Sequence, residues 1–102
     1  MAAALTRWER RDGADRQEMA MAAIALCRAS RASGAKASRF FWTTSDSIVT
    51  LTEADSPAFF EREPDADTAK AVFALSDLAR SGSQERWIDP RDGQSAYRTA
   101  GR

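Results

Sequence analysis

The sequence predicts a small two-layer α+β domain: a four-stranded antiparallel sheet with two helices on one face. Three observations lead there. Two stretches, Asp15 to Ser33 and Pro64 to about Arg80, carry apolar residues at helical spacing. Between them lie two short β-rich runs separated by a turn, Ala37 to Thr44 and Ser47 to Thr52. Short strand-like segments with tryptophan, Leu5 to Arg10 and Gln84 to Ile88, stand outside both helices. At 102 residues the chain is long enough for one domain and too short for two. The expected unit is 1–102, with a core over about 4–91 and a tail over 92–102.

Leu5 to Arg10 reads as a strand because Thr6 and Trp8 share a face and Asp12-Gly13 would interrupt a helix. In the first helix, Asp15 and Glu18 place negative charge against the free amides of the first turn. Its stripe is Met19, Ala22, Ala23, Leu26 and Ser30, flanked by Ile24 and Cys27. These are mostly small residues, which let a helix approach a sheet closely. Arg28, Arg31 and Lys36 lie toward the other end, where positive charge is favoured, and Gly34 is the expected stop.

The hairpin is the clearest element, with Ser45-Asp46 as its turn. Alternation puts Phe40, Trp42 and Thr44 on one face of its first strand, and Arg39, Phe41 and Thr43 on the other. Both faces hold an aromatic. One face packs on helices, so the other asks for a cover, and a dimer through the sheets is expected. Glu53 to Asp65 is a connection carrying Phe59 and Phe60, with Pro57 starting a short helical turn. The second helix has Val72, Leu75, Leu78 and Ala79 as its stripe, with Phe73 at one edge. Ser81-Gly82-Ser83 is read as its stop, and Gln84 to Ile88 as the last strand. Asp89 to Gly93 is read as a turn, followed by a tail with Tyr97. The order strand, helix, strand, strand, helix, strand, with right-handed crossovers, is the ferredoxin-like βαββαβ sandwich.

Charge and composition narrow the function classes. There are 15 basic and 15 acidic residues, so the formal net charge is zero. Nucleic-acid binding needs a phosphate-neutralising surplus and is disfavoured. A near-neutral surface is weakly protected against association, which fits a homodimer. The chain holds one cysteine and no histidine. Histidine triads and histidine ligation of zinc or haem are therefore excluded, and neither a cofactor nor a metal is expected. No run approaches the roughly 20 apolar residues of a membrane span, and the first residues lack an export signal. The expectation is a cytoplasmic protein without a membrane partner.

Several segments resemble the dimeric α+β-barrel superfamily of small ferredoxin-like proteins, especially its uncharacterised domain families. They are Leu5-Thr6-Arg7-Trp8 leading into Gly13-Ala14-Asp15, the run Ile48 to Pro57, and Phe73-Ala74-Leu75-Ser76-Asp77-Leu78. The resemblance implies two subunits pairing their sheets into a barrel, and ligands held between each sheet and its helices. It implies members that range from cofactor-free monooxygenases and isomerases to proteins without known activity. Its haem-using branches rely on a histidine that this chain lacks.

The candidate pocket residues are Trp8, Trp42 and Trp87 on three strands, with Phe59 and Phe60 as a lid. Arg39 is a candidate cation for a carboxylate, phenolate or enolate-like group. Arg7 and Arg86 are placed on its face, with Thr43 and Thr50 as hydroxyl donors. Glu53 and Asp77 are candidate bases if burial raises their pKa. Each has a structural alternative: core filling for the aromatics, ion pairing for the charges. Cys27 reads as a small buried residue. No constellation identifies a catalytic residue. Three functions therefore stand side by side. The one needing fewest assumptions is a non-catalytic dimeric scaffold or partner-binding domain with a filled interior. The alternative is an enzyme of cofactor-free monooxygenase or isomerase type acting on an apolar or aromatic molecule. A nucleic-acid-binding sheet is the third and weakest.

Overall fold

The computed structural model describes residues 1–88. Its elements are β1 (Ala2–Arg10), α1 (Arg16–Ala32), β2 (Ala37–Trp42), β3 (Ser47–Ala54), α2 (Ala58–Glu61), α3 (Ala66–Leu78) and β4 (Ala79–Ile88). The strands form one antiparallel sheet in the order β2-β3-β1-β4. This is the ferredoxin-like α+β fold. The expected turn at Asp89 to Gly93 and the tail with Tyr97 lie outside the described residues.

Local chemistry sets the helix ends. The Asp15 carboxylate accepts from the amides of Gln17 and Glu18, at 2.7 and 3.1 Å, and so caps α1. At the other end Gly34 takes φ +119°, open to glycine and costly for other residues. The Ala35 amide then reaches Ser30 O, and the Gly34 amide reaches Arg31 O. That pair of bonds is a Schellman closure. Asp65 caps α3 by accepting from Thr68 N at 2.8 Å.

The core forms where α1 and α3 meet the sheet. Met19, Ala23, Leu26, Ile48, Ala71 and Leu75 are buried together, with Trp8, Phe40, Trp42, Val72 and Leu78 packed around them. Ile24, expected beside the stripe, is exposed, and so is Phe73. Large side chains such as Met19, Ile48, Leu75, Phe40 and Trp42 fill the space between the layers at this cluster.

The expected end of the second helix is corrected by the structure. The helix stops at Leu78, and Ala79 already begins β4, so Ser81-Gly82-Ser83 lies inside a strand. Read locally, Ser-Gly-Ser is loop chemistry. Nine residues of β1, however, offer a ladder that residues 79–88 fill almost residue for residue, broken only by an irregularity at Glu9/Arg10. Pairing along a long neighbour outweighs local preference.

One polar cluster ties the hairpin to the rest. Asp46 sits in the β2–β3 turn at φ +64°. Its carboxylate receives Arg10 Nε at 2.8 Å and also pairs with Arg16. The Arg16 guanidinium also lies 4.1 Å from the centre of the Trp42 ring. A cation in the first turn of a helix opposes the helix dipole, and Asp46 and Trp42 offset that cost. Arg10 holds the Asp46 carboxyl below its ordinary value of 3.8. A folded-state value below the unfolded one stabilises the fold at pH above the unfolded value. That contribution is lost as pH falls through the folded value. Denaturant midpoints should therefore drop on acidification below about pH 4. Asp46→Asn, which tolerates the same backbone, should lower stability at pH 7 and flatten this acid dependence.

Candidate functional site

Between the sheet and the two helices lies a cavity of about 480 Å³. Its floor is built by side chains of alternate residues on the inner sheet face: Ala4, Thr6 and Trp8 of β1, Thr50 and Thr52 of β3, and Gln84 and Arg86 of β4. Leu26 and Ser30 of α1 and Val72 of α3 form the walls. Phe59 and Phe60 close it from the α2 segment, their rings 5.2 Å apart and nearly perpendicular. The cavity exists because the floor is made largely of alanine and threonine. These side chains are too short to meet the helices beyond the Met19–Leu75 cluster.

The polar groups of the floor are held by one another. The Trp8 indole N–H donates to Thr50 Oγ1 at 3.1 Å, and Gln84 Nε2 donates to Thr6 Oγ1 at 3.2 Å. Ser38 and Thr52 share a hydroxyl bond of 2.8 Å. These bonds fix Trp8 as a flat wall, with its opposite neighbour on β4 being Gly82. A β-carbon at Gly82 would come within 3.1 Å of the Arg7 carbonyl oxygen and 4.0 Å of the indole. Glycine there lets β4 run close beside the tryptophan. Thr6, Trp8 and Gln84 also border a second, more open recess of about 470 Å³ beneath the end of α3.

The α2 segment is tethered by an arginine. Arg62 donates to the Ser33 carbonyl at the end of α1, and its guanidinium lies 4.6 Å from the Phe59 ring centre. At the mouth, the Thr68 amide, with Arg62 nearby, keeps the Asp65 carboxyl below its ordinary value of 3.8. Asp65 is thus committed as an ionised helix cap.

Trp8, Thr50, Phe59, Phe60 and Arg86 are the sequence candidates that the structure brings together at the cavity. The others lie elsewhere. Trp42 is on the inner face, where it packs on the core beneath Arg16 and is absent from the cavity lining. Arg39 and Glu53 face outward across the hairpin, 3.9 Å apart. Trp87 also points outward, half exposed, with its indole on Glu85 at 3.2 Å. Asp77 is exposed on α3, off the cavity. Arg86 does not share a face with Arg7 and Arg39: it pairs with Ala4, whereas Arg7 pairs with Ser83 and Val49. Thr43 stands in the hairpin turn rather than on the floor. Thr6, Thr52, Gln84 and Arg62 went unmarked in the sequence. Strand parity with Trp8 could have found Thr6, but Gln84 needed the β4 register.

The architecture decides the wider relationship. The chain has the fold of the dimeric ferredoxin-like α+β-barrel proteins. It is similar to the solved structure of Rv0793 from Mycobacterium tuberculosis, with a TM-score of 0.74 at 14% identity, over 86% of this chain and 93% of that one. It is similar also to SnoaB, described as a cofactor-independent oxygenase from Streptomyces nogalater, with a TM-score of 0.74 at 11% identity, over 86% and 91% of the two chains. A dimeric ferredoxin-like protein of unknown function from Thermobifida fusca aligns with a TM-score of 0.71 at 10% identity, over 86% and 90%. The chain matches no known sequence family and no curated protein.

The close passage of β4 by Trp8 gives a direct test. Gly82 is exposed, so Gly82→Val should lower stability by only about 1 kcal/mol, through the approach of its β-carbon to the Arg7 carbonyl oxygen. The Trp8 indole N–H signal should move in the same variant. Chemical denaturation and a nitrogen–proton correlation spectrum report the two effects.

Proposed function

We propose that this chain is a homodimer that binds a small, planar, mostly apolar organic molecule between its sheet and helices. The cavity of about 480 Å³ carries the reading. Its size falls within the roughly 300–1,000 Å³ of small-molecule sites, and its lining has the usual mix of apolar walls and a few polar groups. A scaffold with no ligand needs no such space, and the aromatics that would have filled it stand at its borders instead. Trp8 and Phe60 offer flat surfaces for a ring, while Thr6, Thr50 and Gln84 supply hydroxyl and amide groups along one side.

The reading extends to cofactor-free chemistry on the bound molecule, oxygenation or isomerisation, in which the site's part is to hold a phenolic or enolisable ring and exclude water. Support comes from fold neighbours described as a cofactor-independent oxygenase and as antibiotic biosynthesis monooxygenases. The homodimer rests on the outer sheet face. Leu5, Val49 and Leu51 lie side by side there with no helix over them among the described residues, next to Phe41, which is 54% exposed. An uncovered apolar sheet of this kind is stable in water when a second copy covers it. Solved neighbours described as dimeric agree with this reading.

Two measurements test the proposal. Titration with 2-naphthol should produce a saturable shift of the Trp8 indole signal and leave the Trp87 signal in place. A shift confined to Trp87, or none, contradicts the cavity site. Sedimentation should give twice the chain mass for the natural protein and the single-chain mass for Leu51→Glu. A natural protein that sediments as a monomer at micromolar concentration contradicts the dimer.

A further inference from the structure

Arg86 stands out among the charged groups of the cavity. The register sets it opposite Ala4, whose methyl side chain leaves the space beside it open. Its guanidinium lies 5.8 Å from the Phe60 ring centre, at the outer limit of a cation–π contact. Among the described residues it forms no ion pair, whereas Arg10, Arg16, Arg39 and Arg80 each have a carboxylate within 4 Å. The other arginine on the lining, Arg62, is spent on the Ser33 carbonyl and the Phe59 ring. Of the nearby acids, Asp65 is engaged in capping α3. Among the described residues the cavity therefore offers one cation without an ion pair, beside an aromatic wall.

We infer that the ligand of this cavity carries a carboxylate on the edge of its ring system, and that Arg86 selects for it. This rests on the cavity reading and narrows it to an aromatic acid. A guanidinium holds a carboxylate through two parallel N–H···O bonds, an arrangement both stronger and more directional than a neutral contact. With the carboxylate on Arg86, the ring lies along Phe60 and reaches toward Trp8, so the charged and apolar parts of the site are used together. Gln84, two residues earlier on the same face, keeps its amide on Thr6 and closes the side of the site next to Arg86.

The test compares 2-naphthoate with 2-naphthamide, which share a ring and differ in charge, by calorimetry on the full chain. Arg86 is exposed at the cavity, so the natural protein should bind the carboxylate up to about 5-fold more tightly, the upper range for a solvent-accessible ion pair. Arg86→Gln should bring the two ligands within about twofold of each other, and Arg86→Lys should keep part of the preference because it keeps the charge but loses the fork. An unchanged pattern of amide signals establishes that each variant is folded. Equal affinities in the natural protein overturn the inference while leaving the cavity site standing. A preference that survives in Arg86→Gln overturns it too, since another group then reads the charge. If neither compound binds, the cavity reading falls and the inference with it.

Discussion

Strand β1 lies between β3 and β4 along nearly its whole length, and its two-residue period decides what each face of the molecule can do. Ala4, Thr6 and Trp8 turn toward the helices, and Ala3, Leu5 and Arg7 turn away. Because both neighbours pair with β1 in register, the same parity passes to them. It sends Thr50, Thr52, Gln84 and Arg86 inward and Val49, Leu51 and Trp87 outward. A slip of one residue on either side would exchange these sets. The cavity and the uncovered apolar face are thus two results of one register.

Packing then follows from side-chain size. At the hairpin end, Ile48, Phe40 and Trp42 reach Met19 and Leu75, and the layers close. Toward the other end the inner face offers alanine and threonine, the helices present Ser30 and Val72, and the layers stay apart. The Asp46 cluster strengthens the closed end by joining the hairpin turn to Arg10 and Arg16. At the open end the α2 segment stands over the gap, with none of its four residues buried. Its ties to the body include Arg62 on Ser33 and the ring contacts of Phe59 and Phe60. The buried cluster lies away from the site, and the site is bounded by a segment with no buried residue, a common division in ligand-binding domains.

Much of this was legible in the sequence. The Asp15 cap, the Gly34 stop, the hairpin, the short turn after Pro57 and the outward aromatic at Phe41 all follow from local chemistry and parity. Trp8, Phe59 and Phe60 could be marked as pocket candidates because large aromatics on a strand and in a long connection need a surface to cover. What local reading could not supply was β4. Ser81-Gly82-Ser83 reads as a loop until β1 is present to pair with it. With that start misplaced, the faces of Arg86 and Trp87 could not be anchored. The role of Trp42 was hidden for a related reason: Arg16, distant in sequence and paired with Asp46, occupies the space above its ring.

The central claim is that the space between sheet and helices is a real chamber bordered by Trp8, Leu26, Val72 and Phe60. A crystal of the protein pressurised with xenon tests it most directly, because xenon enters apolar cavities and scatters strongly. The account predicts xenon density among these four side chains, with Phe59 and Phe60 standing at the rim. Absence of xenon there, with the phenylalanine rings folded inward onto Leu26, would contradict it and return the domain to a filled, non-binding interior.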